Sequence, residues 1–377
     1  MRRIYLDHNA SSPWRPAVAH WMRSEQAANL GNPSSFHAEG RAARQMIERA
    51  RAEIAAALGA DHPEQVLFVS GGTEANNLAI HAATQGPVGR AVGTAIEHPA
   101  VARPLAALAD CGWQVATLPV DAVGQVADWS GAVDAQLLCV MRANNEVGTI
   151  LDVAAARHAA PNAWLHCDAI QAIGKFPVNF NELGVDSLAV AGHKVGAPVG
   201  IGALLVRDRN RVQPVQRGGG QEFGLRSGTQ AAALIEALRL AVAEGTTHLI
   251  ERSLRIGRQR DALEATIQAG LADNPPTIIG DQQARLANTS CMAFTGLSAE
   301  ALVMELDARG VAVATGSACS SGSGRPSAVL VAMGAPVHGV LRLSLGPDHQ
   351  PDELASAAAQ VVSAVRRLRH IAAPIQI

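Results

Sequence analysis

Val66-Leu67-Phe68-Val69-Ser70-Gly71-Gly72-Thr73-Glu74-Ala75-Asn76-Asn77 runs from a short apolar segment through two glycines into a helical one. This is the signature of a strand that turns sharply into a helix, with Thr73 as the expected helix N-cap. Free backbone N–H groups and the positive end of the helix dipole make such a turn an anion site. The spacing fits neither GxGxxG nor GxxxxGK[ST], which counts against a dinucleotide or nucleoside triphosphate. A purely structural strand-to-helix turn needs the same residue types, so the stretch speaks first for an α/β unit.

Further apolar segments bounded by Gly, Pro, Asn or Asp lie at 90–96, 114–118, 136–141, 163–166, 187–190 and 201–206. Most are separated by enough chain for a crossover helix, which predicts a mainly parallel sheet covered on both faces. Residues 191–200 are too few for such a crossover, so the last two strands pair antiparallel or lie apart. A helix is predicted over 36–58, stopped by Gly59, and others over 230–243 and 248–271. Gly245-Thr246-Thr247, between the last two, marks the expected domain boundary. Beyond it, strands near 277–279, 290–294, 311–314 and 340–345 and helices near 299–309 and 352–368 read as a smaller α+β domain.

The chain has 377 residues, 48% hydrophobic and 17% charged, with a net charge of −2. That size buries a large core without disulfides or a structural metal. Five cysteines, Cys111, Cys139, Cys167, Cys291 and Cys319, form no CxxC pair, which argues against a secreted disulfide framework and a zinc site. A reducing cytoplasm is the expected compartment. Scattered basic residues speak against nucleic-acid binding, and no apolar run reaches a membrane span. The N-terminus meets Asp7 before a signal-peptide apolar region develops.

Only two of the 31 basic residues are lysine, Lys175 and Lys194. Where arginine is so favoured, a lysine is expected where an amine must lose its proton. Ala191-Gly192-His193-Lys194 follows a strand end, a place where a desolvated amine can form a Schiff base with an aldehyde cofactor. Asp168 ends another strand, with Gln171 after it. Asp168 suits either a pyridinium partner or a helix N-cap. Cys319 sits in Gly316-Ser317-Ala318-Cys319-Ser320-Ser321-Gly322-Ser323-Gly324, a loop composition that can carry a thiol to a substrate, whereas Cys139 and Cys167 sit in apolar strands. Arg342 interrupts the apolar segment 340–345, which calls for an anion, either a substrate carboxylate or a structural partner.

In order and over nearly the whole length, these segments resemble the NifS- and IscS-like cysteine desulfurases of the class V aminotransferase group. The resemblance rests on Tyr5-Leu6-Asp7, Gly31-Asn32-Pro33-Ser34-Ser35, Ser70-Gly71-Gly72-Thr73-Glu74, Glu97-His98, Asn144-Asn145-Glu146-Val147-Gly148 and Asp168-Ala169-Ile170-Gln171. It continues through Gly192-His193-Lys194, Arg226-Ser227-Gly228-Thr229, Gly316-Ser317-Ala318-Cys319 and Arg342-Leu343-Ser344-Leu345-Gly346. It implies a fold-type I enzyme dependent on pyridoxal phosphate. A seven-stranded, mainly parallel large domain would occupy 12–247. Residues 1–11 plus 248–377 would form the small domain carrying the Cys319 loop and Arg342.

The resemblance also implies roles. Lys194 would bind the cofactor covalently and move protons, His98 would stack on its ring and assist acid–base steps, Asp168 would pair with the ring nitrogen, and Gln171 would bond the ring oxygen. Gly72, Thr73 and His193 would hold the phosphate, with Thr229 contributed by the other subunit of a homodimer. Asn145 and Arg342 would fix the carboxylate of L-cysteine. Cys319 would take the sulfur as a persulfide and hand it to an acceptor protein, an iron–sulfur scaffold or sulfur carrier. The alternative is a selenocysteine lyase or another class V enzyme. No metal is implied. Ala191 replaces a Ser or Thr common in relatives, Val199 a Lys, and Gln221 a frequent His, while the segment 319–342 is a few residues short.

Overall fold

The computed structural model describes residues 3–316 and 326–372. In chain order the strands are β1 Ile4–Tyr5, β2 Val66–Val69, β3 Arg90–Thr94, β4 Gln114–Leu118, β5 Leu137–Cys139, β6 Trp164–Asp168, β7 Ser187–Ala191 and β8 Gly202–Val206. They continue with β9 Thr277–Ile279, β10 Thr289–Ala293, β11 Val311–Ala312, β12 Ala314–Thr315 and β13 Val340–Ser344. Seven of them form one sheet in the order β2-β8-β7-β6-β5-β3-β4. The pairs β4/β3, β3/β5, β5/β6 and β6/β7 are parallel, while β8 runs antiparallel to both β7 and β2. The short link 191–200 therefore does reverse direction, as its length requires. Because β8 is flanked by antiparallel partners on both sides, β2 points the same way as β7. The turns after β2, β3, β6 and β7 accordingly collect at one edge, outside the carboxyl ends of the parallel strands, where open α/β sheets bind ligands.

A second sheet has the order β12-β13-β10-β9, and β1 pairs with β11 in parallel. Period-2 alternation gives this sheet two apolar faces. Met292, Leu341 and Leu343 pack with Leu263, Ile267, Leu306, Val361 and Val365, the helices on its outer face. Cys291, Ala293 and Val340 point the other way and join the core of the large sheet. Arg342, between Leu341 and Leu343, is thereby directed toward the large sheet.

Two sequence expectations are corrected. The predicted strand 311–314 is two short strands: Val311–Ala312 pairs with β1 and Ala314–Thr315 with β13, because the chain passes from one pairing partner to the other across Val313. The helix break does not fall at Gly245. Helix Ala232–Thr246 runs through that glycine, and the chain turns at His248, whose φ is +50°. Gly245 is small for packing reasons: a Cβ there would lie 3.0 Å from Val195 Cγ2 and 3.3 Å from Arg15 Nη2.

Candidate active site

At the collected strand ends lies a cavity of about 360 Å³ lined by Gly72, Thr73, His98, Asn145, Asp168, Gln171, His193, Lys194 and Arg342. Nine of the residues singled out in the sequence thus converge. Thr229 is exposed and lines a separate cleft with Asn32 and Pro33, so one chain does not bring it to this cavity. Cys319 lies outside the described residues. Reading the sequence by motif missed Asn9, Ala10, Met141 and Ala143, which also line the cavity, and Asn76 behind Asp168. Their side chains are of types common in turns and cores, and nothing in the local sequence sets them apart.

The first wall is the turn after β2. The helix Gly72–Ala83 has Gly71 as its N-cap and no side chain capping it, so Thr73 belongs to the first helical turn and is not the cap. The helix starts two residues earlier than expected, with Glu74 reaching back to accept from the Ser70 N–H at 2.6 Å while Arg226 braces the same carboxylate at 2.7 Å. First-turn N–H groups and the helix dipole are left for an anion. Gly202 pairs with both Val69 and Ala191 and so sets this turn beside Gly192. A Cβ on Gly202 would meet Gly71 Cα at 2.8 Å and Val190 O at 2.6 Å.

Asp168 ends β6 as a buried carboxylate. Its Oδ2 accepts from Asn76 Nδ2 at 2.8 Å and its Oδ1 from the Ile170 N–H at 3.0 Å. Asn76 is oriented in turn by His166 at 3.0 Å, and His166 by Ser187 at 2.9 Å. Burial raises the Asp168 pKa, and His98, the two hydrogen bonds and Lys194 oppose that rise. His98 N-caps the helix Pro99–Ala107 through Nδ1, which accepts from the Ala100 N–H at 3.0 Å. That bond places the proton of the neutral ring on Nε2. Burial lowers the His98 pKa, Asp168 raises it and Lys194 lowers it.

Lys194 follows β7 in the short helix Gly192–Val195, which Gly196 closes at φ +97°. Its Nζ donates to Asn9 O at 2.6 Å and Ala10 O at 2.8 Å, carbonyls of the N-terminal segment. Burial, Lys194 and Lys175 bring His193 down to about 4, so it offers a neutral imidazole. Across the cavity Arg342 donates to Asp7 Oδ1 at 2.7 Å and Asn145 O at 3.0 Å, while its Nε is buried with no partner among the described residues. Arg342 therefore has a structural anion already.

An uncapped helix start, a buried acid positioned by three successive hydrogen bonds, and an amine between them match the phosphate, ring nitrogen and aldehyde of pyridoxal phosphate. The comparisons agree. Residues 4–356 match the family model described as aminotransferase class-V. The chain is 39% identical to an IscS-like cysteine desulfurase of Mycobacterium tuberculosis over 98% of both chains. It is 35% identical to the cysteine desulfurase NifS of Azotobacter vinelandii, covering 98% of this chain and 94% of that one. Among solved structures, a NifS-like protein superposes with a TM-score of 0.87 at 30% identity, covering 97% of this chain and all of that one. The chain belongs to the class-V aminotransferase family, among its pyridoxal-phosphate-dependent cysteine desulfurases.

Proposed function

We propose that this chain removes sulfur from L-cysteine, leaving alanine, and passes the sulfur through Cys319 to an acceptor protein that builds iron–sulfur clusters or thiolates another product. The observation that carries this reading is the convergence of Lys194, Asp168, His98, the open helix start at Gly72 and Arg342 on one cavity. Bound there, pyridoxal phosphate supplies an electron sink for the bonds at the substrate Cα.

The residues divide the remaining work. The first-turn N–H groups of Gly72 and Thr73, the Thr73 hydroxyl and His193 hold the phosphate. Asp168, ionised opposite a ring cation, keeps the ring nitrogen protonated. Gln171 holds the ring oxygen. Lys194 anchors the cofactor and then moves a proton at Cα. His98, with its proton on Nε2, stacks on the ring and relays protons at neutral pH. Arg342 and Asn145 take the substrate carboxylate, Arg342 sharing its guanidinium with Asp7. Cys319 attacks the substrate sulfur as a thiolate and retains it as a persulfide. The exposure of Thr229 on its own cleft supports a homodimer in which Thr229 reaches the partner's phosphate. Among the described residues no helix is long and apolar enough to cross a membrane, and we place the enzyme in the cytoplasm.

Replacing Cys319 with Ala tests the reading. The variant is expected to bind the cofactor with an unchanged visible spectrum and to lose alanine release from L-cysteine in the presence of an acceptor thiol. Undiminished alanine release would show that Cys319 is not the sulfur acceptor.

A further inference from the structure

The second lysine of the chain has no place in the scheme above, yet it lies one hydrogen bond behind it. Lys175 Nζ donates to Gln171 Oε1 at 2.5 Å and to Asn9 Oδ1 at 3.1 Å. Gln171 Nε2 donates to Asn9 O at 2.8 Å, the same carbonyl that accepts from Lys194 at 2.6 Å. Asn9 is fixed in its turn by Asn288 Nδ2 on Oδ1 at 3.0 Å and by Thr289 Oγ1, which accepts from its Nδ2 at 2.9 Å. A glutamine amide has two flips that differ only in hydrogen bonding. Here one flip satisfies both contacts. The other sets an NH₂ against the Lys175 amine and an oxygen against the Asn9 carbonyl, a donor facing a donor and an acceptor facing an acceptor.

We propose that Lys175 is a positioning residue that acts through Gln171, fixing its carboxamide so that Gln171 faces the cavity as a hydrogen-bond donor. This rests on the reading of the cavity as a pyridoxal phosphate site, where the group beside Gln171 is an anionic ring oxygen.

Two further observations argue that an amine is needed at this position. Both hydrogen-bond partners of Lys175 are neutral amide oxygens, so no carboxylate explains the presence of a cation. Burial pushes its amine well below the ordinary lysine range, and Lys194, Arg342 and Arg15 act in the same direction. A side chain kept only to fill space would be more stable as methionine. In a chain that uses arginine at all but two of its 31 basic positions, this one is lysine. A neutral amine still donates to Gln171 Oε1, and in the other flip the carboxamide oxygen still faces the Asn9 carbonyl, so the preferred flip is the same in either protonation state.

The test is a double-mutant cycle read by titrating apo-protein with pyridoxal phosphate and following visible absorbance, beside KM and kcat for L-cysteine. Lys175→Met is expected to raise the cofactor dissociation constant about five- to tenfold, the scale of one neutral hydrogen bond. In a Gln171→Ala background the same change is expected to have no further effect, because its route is gone. Lys175→Arg retains a donor and has room, since Lys175 also lines a separate cavity of about 230 Å³. It is expected to bind within about threefold of the parent. The proposal fails if Lys175→Met binds as tightly as the parent, if its effect is the same with and without the Gln171 side chain, or if the Arg and Met variants are equally impaired. Should Lys175→Met not fold, Lys175→Ala with and without Gln171→Ala decides: a clamp acting through Gln171 makes the two changes non-additive, and equal effects in the two backgrounds overturn it. A parent protein that does not bind pyridoxal phosphate sinks the proposed function instead, so the two failures are distinguishable.

Discussion

Glu97 precedes His98 in sequence and is a buried carboxyl with two donors on one oxygen and none on the other among the described residues. Oε1 accepts from Thr94 Oγ1 at 2.7 Å and from the Met141 N–H at 2.8 Å, while Oε2 is buried with no partner among the described residues. Burial pushes its pKa up to about 8 from 4.5, the two hydrogen bonds oppose the rise, and Asp168 adds to it. The folded protein therefore holds a proton on Glu97 at neutral pH that the unfolded chain has lost. A folded pKa above the unfolded one contributes stability fully present below pH 4.5 and lost as pH rises through 8. The slope is ~1.4 kcal/mol per pH unit, and the loss across the window is of order 3–5 kcal/mol.

Glu97→Gln keeps the accepting Oε1 and removes the ionisation. In urea denaturation followed by tryptophan fluorescence, the stability of the variant relative to the parent is expected to improve by ~1.4 kcal/mol for each pH unit between about pH 5 and pH 7.5. The relative measure cancels the titrating groups that do not interact with Glu97. If the two proteins lose stability in parallel across that range, Glu97 is ionised in the folded state and the reasoning is wrong. The protonated form also has a consequence for the site: Glu97 then adds no second negative charge near Asp168, whose attraction for a cationic ring nitrogen would not be shared with it.

Two more predictions concern the frame. Ala191 lines the cavity at the uncapped start of the short helix carrying Lys194, and its Cβ lies 3.3 Å from where a Cβ on Gly72 would stand. Ala191→Ser adds a hydroxyl beside the phosphate turn and is expected to tighten cofactor binding about five- to tenfold; equal or weaker binding in an absorbance titration would place the phosphate elsewhere. Arg51 and Glu222, both about 1% exposed in their side chains, pair at 2.8 Å, and Glu222 also accepts from the Phe68 N–H at 2.9 Å, tying β2 to the segment that holds Arg226. Glu222→Ala takes from the buried Arg51 guanidinium its buried carboxylate, leaving Glu48 at 3.3 Å and the Val66 carbonyl, and is expected to cost about 3–5 kcal/mol in urea unfolding; a loss under about 1 kcal/mol would mean Glu48 takes over the pairing.

Period and spacing in the sequence determined much of this protein. The apolar runs bounded by turn residues located every strand of the large sheet, and the ten residues of 191–200 left an antiparallel pair or two strands lying apart, because a parallel return to the neighbouring position needs a crossover that such a link cannot span; the structure has the antiparallel pair. Strand ends are where side-chain chemistry is released from the ladder, so Asp168 and Lys194 stood out as candidates together, although a helix N-cap accounts for Asp168 alone equally well. What only the tertiary structure decided is which polar groups meet. Asn9 and Lys194 are 185 residues apart, and no local pattern predicts that the Asn9 carbonyl receives the Lys194 amine. Arg342 was legible as a buried cation seeking an anion, but not that Asp7, 335 residues away, already supplies one. Lys175 was conspicuous by composition and mute by motif. Its partners are amides brought together from the N-terminal segment and from the turn after β6, and hydrogen bonds between such distant segments follow from how the sheets pack, which sequence periodicity does not encode.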